Sequence, residues 1–214
     1  MFTELLFPNR CIGCSNVIEP QGVVCWACYQ DLPFTHFSFD KDNDFYKKCQ
    51  LNFPLEEAFA LMHYDEGNLA QQLIHQLKYK GMQRVGEYLA HEVAERMPKP
   101  FVDVLVTVPL HPKKLKERGY NQLHLLANTL SKIWNIPHDS DILKRNFYSK
   151  PQAQKDKTHR TYTKDLFSLN KVITHQHMLL IDDVYTTGNT MNKAAWQILK
   201  QHENKISVLV LAID

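Results

Sequence analysis

The hydrophobic pattern of the chain changes character along its length. Leu69, Leu73 and Leu77 recur four apart within "NLAQQLIHQLKYKG", and Val85, Leu89, Val93 and Met97 do the same within "VGEYLAHEVAERM". That spacing places one apolar stripe on each of two helices. "NQLHLLANTLSKIW" and "TMNKAAWQILKQH" predict two further amphipathic helices. Between them lie runs that do not alternate: "FVDVLVTVPL", "HMLLIDDV" and "KISVLVLAID". Consecutive β-branched and apolar residues are expected of strands buried on both faces. "FALMHYD" and "DILKRN" predict shorter strands, whereas 29–55 and 146–170 show no sustained period. Strands alternating with helices give an α/β fold with a mostly parallel sheet flanked by helices.

The first part of the chain is read differently. Cys11, Cys14, Cys25 and Cys28 form two C-x-x-C knuckles separated by ten residues. Each knuckle can aim two thiolates at one point, and two knuckles complete a tetrahedral Zn²⁺ site. Two disulfides or four unrelated thiols are the alternatives, and a reducing compartment argues against the first. Four thiolates with no open position suit a structural ion. Cys49 is left over as a buried thiol. The expected organisation is a zinc-ribbon-like module and connector over 1–55, followed by the α/β domain over 56–214.

Net charge is only +2, which names no partner. No apolar run approaches the ~18 residues of a membrane span. The start "MFTELLFPNRC" lacks a basic n-region and an apolar core, so a cytoplasmic location is expected.

The chemistry concentrates in "MLLIDDVYTTGNTMNKAA". Ligands of an open parallel sheet bind beyond the carboxyl ends of strands, where Asp182 and Asp183 are expected. Thr186, Thr187, Gly188, Asn189 and Thr190 then fill the turn into a helix, whose unpaired N–H groups and positive dipole end suit a phosphate. Carboxylates repel phosphate but accept hydrogen bonds from a sugar diol. One loop thus offers a phosphate cradle beside a diol grip, as a phosphorylated ribose requires. A core strand with capping aspartates accounts for one acid but not for the pair. The glycine patterns of a P-loop or a dinucleotide fold do not occur.

"LLIDDVYTTGNT" resembles the phosphoribosyl-diphosphate (PRPP) motif of type I phosphoribosyltransferases. "VTVPLHPKKLKERGYNQ", "LIHQLKYKG" and the cysteine knuckles resemble the ComF family, the group of ComFC- and GntX-like proteins. Two departures stand out. Only Cys49 remains where many members carry further knuckles, and "QAQKDKTHRTYTKDLF" keeps Gln154 and Arg160 but has Lys157 and Lys164 where relatives often carry Leu and Asn.

The resemblance implies a type I phosphoribosyltransferase-like domain that binds Mg²⁺ with PRPP. It implies that Asp182 and Asp183 hold the ribose hydroxyls, that Thr186 to Thr190 take the 5′-phosphate, and that Lys113, Lys114 and Arg118 approach the diphosphate. Asp182, Asp183 and Arg118 are the expected catalytic set. It also implies a part in DNA uptake during natural transformation, with single-stranded DNA and other competence proteins as partners. A non-catalytic single-strand-binding factor whose PRPP pocket is regulatory or vestigial is the alternative. Lys78, Tyr79 and Lys80, and the basic Lys155, Lys157 and Arg160, are candidate nucleic-acid contacts, because an aromatic ring stacks a base and the cations meet phosphate. A solvated loop and a helix end with a half-buried tyrosine explain the same residues.

Overall fold

Uninterrupted apolar runs become the centre of a sheet, and the striped segments become the layers that cover it. The computed structural model describes residues 7–79, 83–146, 165–201 and 203–214. In chain order its elements are α1 (Trp26–Gln30), α2 (Asp44–Gln50), β1 (Ala58–His63), α3 (Leu69–Leu77), α4 (Gln83–Arg96), β2 (Val104–Thr107), α5 (Pro112–Arg118), α6 (Gln122–Trp134), β3 (Leu143–Arg145), β4 (Phe167–Leu169), β5 (His177–Tyr185), α7 (Asn189–Leu199) and β6 (Lys205–Ile213).

The main sheet has the order β1-β6-β5-β2, and every pairing in it is parallel. β3 and β4 pair antiparallel as a separate two-stranded sheet. Because side chains alternate across a strand, the run Met178–Ile181 feeds two cores at once. Leu179 and Ile181 join the side chains of α3, α4 and α6, while Met178 and Leu180 join α2, α7 and the β3–β4 pair. This is the expected fold class: a mostly parallel sheet between helical layers, with a small four-cysteine module near the start of the chain.

The aperiodic connector is more ordered than its pattern conveys. Thr35 N–H donates to Leu61 O at 2.9 Å and His63 N–H donates to Pro33 O at 2.8 Å, so this stretch borders the free edge of β1. It also contains α2, capped by Asn43 Oδ1, which accepts from Tyr46 N–H at 2.7 Å. Main-chain pairing of this kind needs no side-chain period, so no periodic pattern signals it.

The cysteine module packs onto the first core through Val23 and Leu32, with Ile12 and Tyr29 against it. At Gly13 a Cβ would lie 2.5 Å from Leu69 Cδ2 and 2.8 Å from Cys28 Sγ. The knuckle therefore approaches α3 as closely as only glycine allows. Arg96 reinforces the seam: it donates to Glu92 Oε2 at 2.6 Å and to Tyr29 Oη at 3.0 Å, and stacks 3.7 Å over the Phe34 ring. Among the described residues no helix is long and apolar enough to cross a membrane.

Candidate functional site at the strand ends

The acids arrive where β5 runs out of core. Extended backbone continues through Asp182 and Asp183 to Tyr185, so the pleat sends the two side chains to opposite faces. Asp183 follows Ile181 toward α3 and α6. Its Oδ2 accepts from Gln122 Nε2 at 3.1 Å and lies 3.7 Å from Lys78 Nζ, while Oδ1 accepts from Val184 N–H at 2.9 Å. Asp182 follows Leu180 toward α7 and the β3–β4 pair, and its Oδ1 accepts from Asp183 N–H at 2.9 Å.

Burial, and then the charge of Asp183, push the Asp182 carboxyl well above the usual carboxylate range, and Arg145 and Lys78 pull it back only in part. The folded state therefore disfavours ionised Asp182. The associated stability is present below the unfolded value of about 3.9 and is lost as pH rises through the higher folded value. Asp182→Asn is expected to melt a few degrees above the native chain near neutral pH, with the gap closing toward about pH 4. Melting curves at the two ends of that window would show this; a gap that does not depend on pH would contradict it.

The turn after β5 is built around Gly188. It has φ +74° and is the N-cap of α7, so no side chain caps that helix start. A Cβ here would lie 2.3 Å from Tyr185 Oη. Tyr185 is itself wedged from below, edge-on to Phe45 with centroids 5.1 Å apart and accepting from Asn52 Nδ2 at 3.3 Å. Above it, Asp182, Val184 and the residues from Thr186 to Met191 line a recess of about 40 Å³. At ~10–15 Å³ for each water, it has room for about three waters or one tetrahedral oxyanion. Thr186, Thr187 and Asn189 lie exposed at its rim.

The segment after β2 reaches Asp183 through Gln122. His111 Nδ1 accepts from Lys113 N–H at 3.2 Å to start α5, and Gly119 ends it at φ +77°. Lys113 and Lys114 project into solvent, whereas Arg118 turns inward and donates to Gln122 Oε1 at 2.9 Å. Tyr120 Oη donates to Tyr79 O at 2.7 Å and Leu77 O at 3.2 Å, which ties this segment to the end of α3. Between the two lies a cavity of about 500 Å³ lined by His75, Lys78, Tyr79, Glu117 and Arg118.

Asp182, Asp183, Arg118 and the threonine turn thus gather around one strand end, with Lys113 and Lys114 outside it. Lys78, expected as a nucleic-acid contact, lies within ion-pair distance of Asp183, and the neighbouring Tyr79 is half exposed. Lys80, Lys155, Lys157 and Arg160 lie outside the described residues. Two residues escaped the sequence reading as members of this cluster. Gln122 shows as the last residue of the ComF-like segment "VTVPLHPKKLKERGYNQ", with no role attached to it. Arg145 shows only as one cation among many, yet burial lowers its pKa and its charge faces Asp182.

The four sulfurs of Cys11, Cys14, Cys25 and Cys28 all lie within 4.8 Å of one another, Cys14 and Cys25 at 3.6 Å. Tetrahedral zinc with ~2.3 Å bonds sets sulfurs about 3.8 Å apart, so the cluster has the right size. No disulfide forms among the five cysteines. Burial opposes the Cys11 thiolate, but the N–H groups of Cys14, Cys25 and Gly13 outweigh it and bring the thiol to about 6. Burial and the neighbouring cysteines push Cys28 up to about 12. Four thiolates this close require a cation among them, which suits Zn²⁺. Cys49 stands apart, buried, its thiol pushed up to about 12 by burial.

No family model matches the chain. Competence protein F of Haemophilus influenzae is 33% identical over 225 residues, covering 96% of this chain and 97% of that protein. The chain belongs to the ComF family. This ComF chain is also 27% identical over 209 residues to the DNA utilization protein YhgH of Escherichia coli K12, covering 94% of the chain and 88% of the relative. Competence protein ComFC of Bacillus subtilis is 29% identical over 142 residues, which span 64% of this chain and 57% of that protein. Among solved structures, UMP synthase of Leishmania donovani aligns at a TM-score of 0.36 and 17% identity, covering 76% of this chain and 28% of that one. An asparagine mutant from a study of an invariant aspartic acid in HPRTs aligns at 0.32 and 15%, covering 68% and 76%.

Proposed function

We propose that this ComF chain binds Mg²⁺–PRPP at the end of β5 and transfers ribose 5-phosphate to an acceptor, as part of the handling of incoming DNA in the cytoplasm. The observation that carries the reading is the joining of two opposite demands in one loop. Asp183 offers acceptors for a diol, and within a few residues the Gly188 turn presents an uncapped helix start over a recess of oxyanion size. Arg118 and Lys78, on the Asp183 side, supply the positive charge that a departing diphosphate needs.

In the transfer, the bond from the anomeric carbon to the diphosphate oxygen breaks, its electron pair leaving with pyrophosphate. The acceptor's lone pair then forms the new bond, and the acceptor releases a proton. Mg²⁺, a hard cation held by oxygen donors, would neutralise the leaving group. The chain's own part is to orient the ribose on Asp183, seat the 5′-phosphate over Gly188 and hold Arg118 toward the diphosphate. The involvement in DNA uptake rests on the names of the relatives, competence protein F and DNA utilization protein.

Calorimetry with Mg²⁺–PRPP tests the reading. The native chain is expected to bind, and Asp183→Asn to weaken binding by about 100-fold, the scale of a lost pair of charge-assisted hydrogen bonds. No binding by the native chain, or equal binding by the variant, would sink it. The half-exposed Tyr79 beside Lys78 favours a second role on single-stranded DNA. In the same series an oligonucleotide should bind at low salt and weaken steeply as salt rises; silence at low salt would remove that role.

A further inference from the structure

The structure assigns Gln122 a role as a positioning residue that couples Arg118 to Asp183, so that the two ends of the site are set together; this rests on the PRPP reading above. The contacts form a single relay. The Arg118 guanidinium donates to Gln122 Oε1 at 2.9 Å, and Gln122 Nε2 donates to Asp183 Oδ2 at 3.1 Å. Gln122 is only 2% exposed although it is polar and opens a helix.

A primary amide is the group this place requires. It accepts and donates at once, so it can receive from a guanidinium on one side and give to a carboxylate on the other. Ionised glutamate cannot give, and an aliphatic side chain can do neither. The order of donors also fixes which way the amide faces.

The reason the relay matters lies in how α5 is held. None of its residues is buried. The helix carrying Arg118 therefore has no apolar anchor of its own, and its placement against the sheet depends on polar ties such as this one. Asp183 is reached from the other side by Lys78 at the same oxygen. Gln122 thus sets the side from which Asp183 is held and the direction in which Arg118 is aimed. The Gln122–Asp183 bond crosses 61 positions of sequence and joins α6 to β5, two elements that would contact different parts of one ligand.

A double-mutant cycle with Arg118→Ala and Asp183→Ala, read as Mg²⁺–PRPP affinity in the full chain, tests the relay. With Gln122 in place, the combined loss should differ from the product of the single losses by about twofold or more, the scale of coupling between groups in one hydrogen-bonded network. The same cycle on a Gln122→Leu background should be multiplicative. Gln122→Glu, which keeps the acceptor for Arg118 but turns a second carboxylate on Asp183, should also lose the coupling and bind more weakly than Gln122→Leu. A side chain that only filled space would lower affinity without altering the cycle. Equal coupling on the native and Gln122→Leu backgrounds, or none on either, overturns the relay and leaves the PRPP pocket standing. Failure of the native chain to bind Mg²⁺–PRPP at all overturns both.

Discussion

Stripping the cation from Cys11, Cys14, Cys25 and Cys28 with a zinc-selective chelator, or replacing Cys28 with serine, is expected to lower the melting temperature by about 6–12 °C. Structural zinc in isolated fingers supplies about 10–16 kcal/mol of folding free energy. This module holds some structure through other contacts, because Val23 and Leu32 sit in the main core and Arg96 clamps Tyr29 and Glu92. If roughly a third of the lower figure, ~3 kcal/mol, is lost, a chain of this size melts lower by about 2–4 °C for each kcal/mol. Cys28 is the site to change, because its sulfur lies against Gly13, the residue that also meets Leu69 of α3 at the seam. Its loss frees the knuckle and uncovers part of the core. Metal analysis should return one zinc per chain before treatment and none after. A native chain that carries no zinc and melts at the same temperature with chelator would refute the assignment.

Gly188→Ala should disable the phosphate recess almost completely. Two penalties coincide at this position. Left-handed backbone costs a non-glycine residue about 1–2 kcal/mol, and the new methyl would lie 2.3 Å from Tyr185 Oη and 2.6 Å from its Cζ. The tyrosine cannot retreat freely, since Phe45 packs against its ring and Asn52 donates to its hydroxyl. The turn must move instead, and with it the start of α7. Stability is expected to fall by about 2–4 kcal/mol, the left-handed cost plus the clash, and Mg²⁺–PRPP affinity by 100-fold or more on the order of a lost anion site. Gly67 is the control. It also has positive φ, +82°, but a Cβ there meets nothing within 4 Å. Gly67→Ala should show only the backbone cost and bind as the native chain does. Matching losses of binding in both variants would mean that the effect is general destabilisation, with no bearing on the recess.

These two sites were legible from sequence for the same reason. The cysteine knuckles and the acid–threonine loop each put their chemistry within a few consecutive residues, so spacing alone conveys geometry. The four striped helices and the buried strands were legible because periodicity reports which side of an element is covered, whereas α1, α2 and α5 carry no such stripe and were not. Residues 33–35 were not, since a main-chain ladder along β1 leaves no mark on side-chain pattern. β4 was missed because Phe167–Leu169 falls within 146–170, which shows no sustained period.

Residue type and local order were enough to specify the striped helices, the doubly buried strands, the clustered thiols and the placement of Asp182 and Asp183 directly after the apolar run of β5. Only the tertiary structure decided the partners: Gln122 and Lys78 on Asp183, Arg145 facing Asp182, Tyr185 beneath Gly188, and Leu69 against Gly13. Hydrophobic pattern encodes whether a side chain leaves water, and it does so residue by residue. Which group it then meets depends on how distant layers settle against one another, and that is a property of the packed chain as a whole.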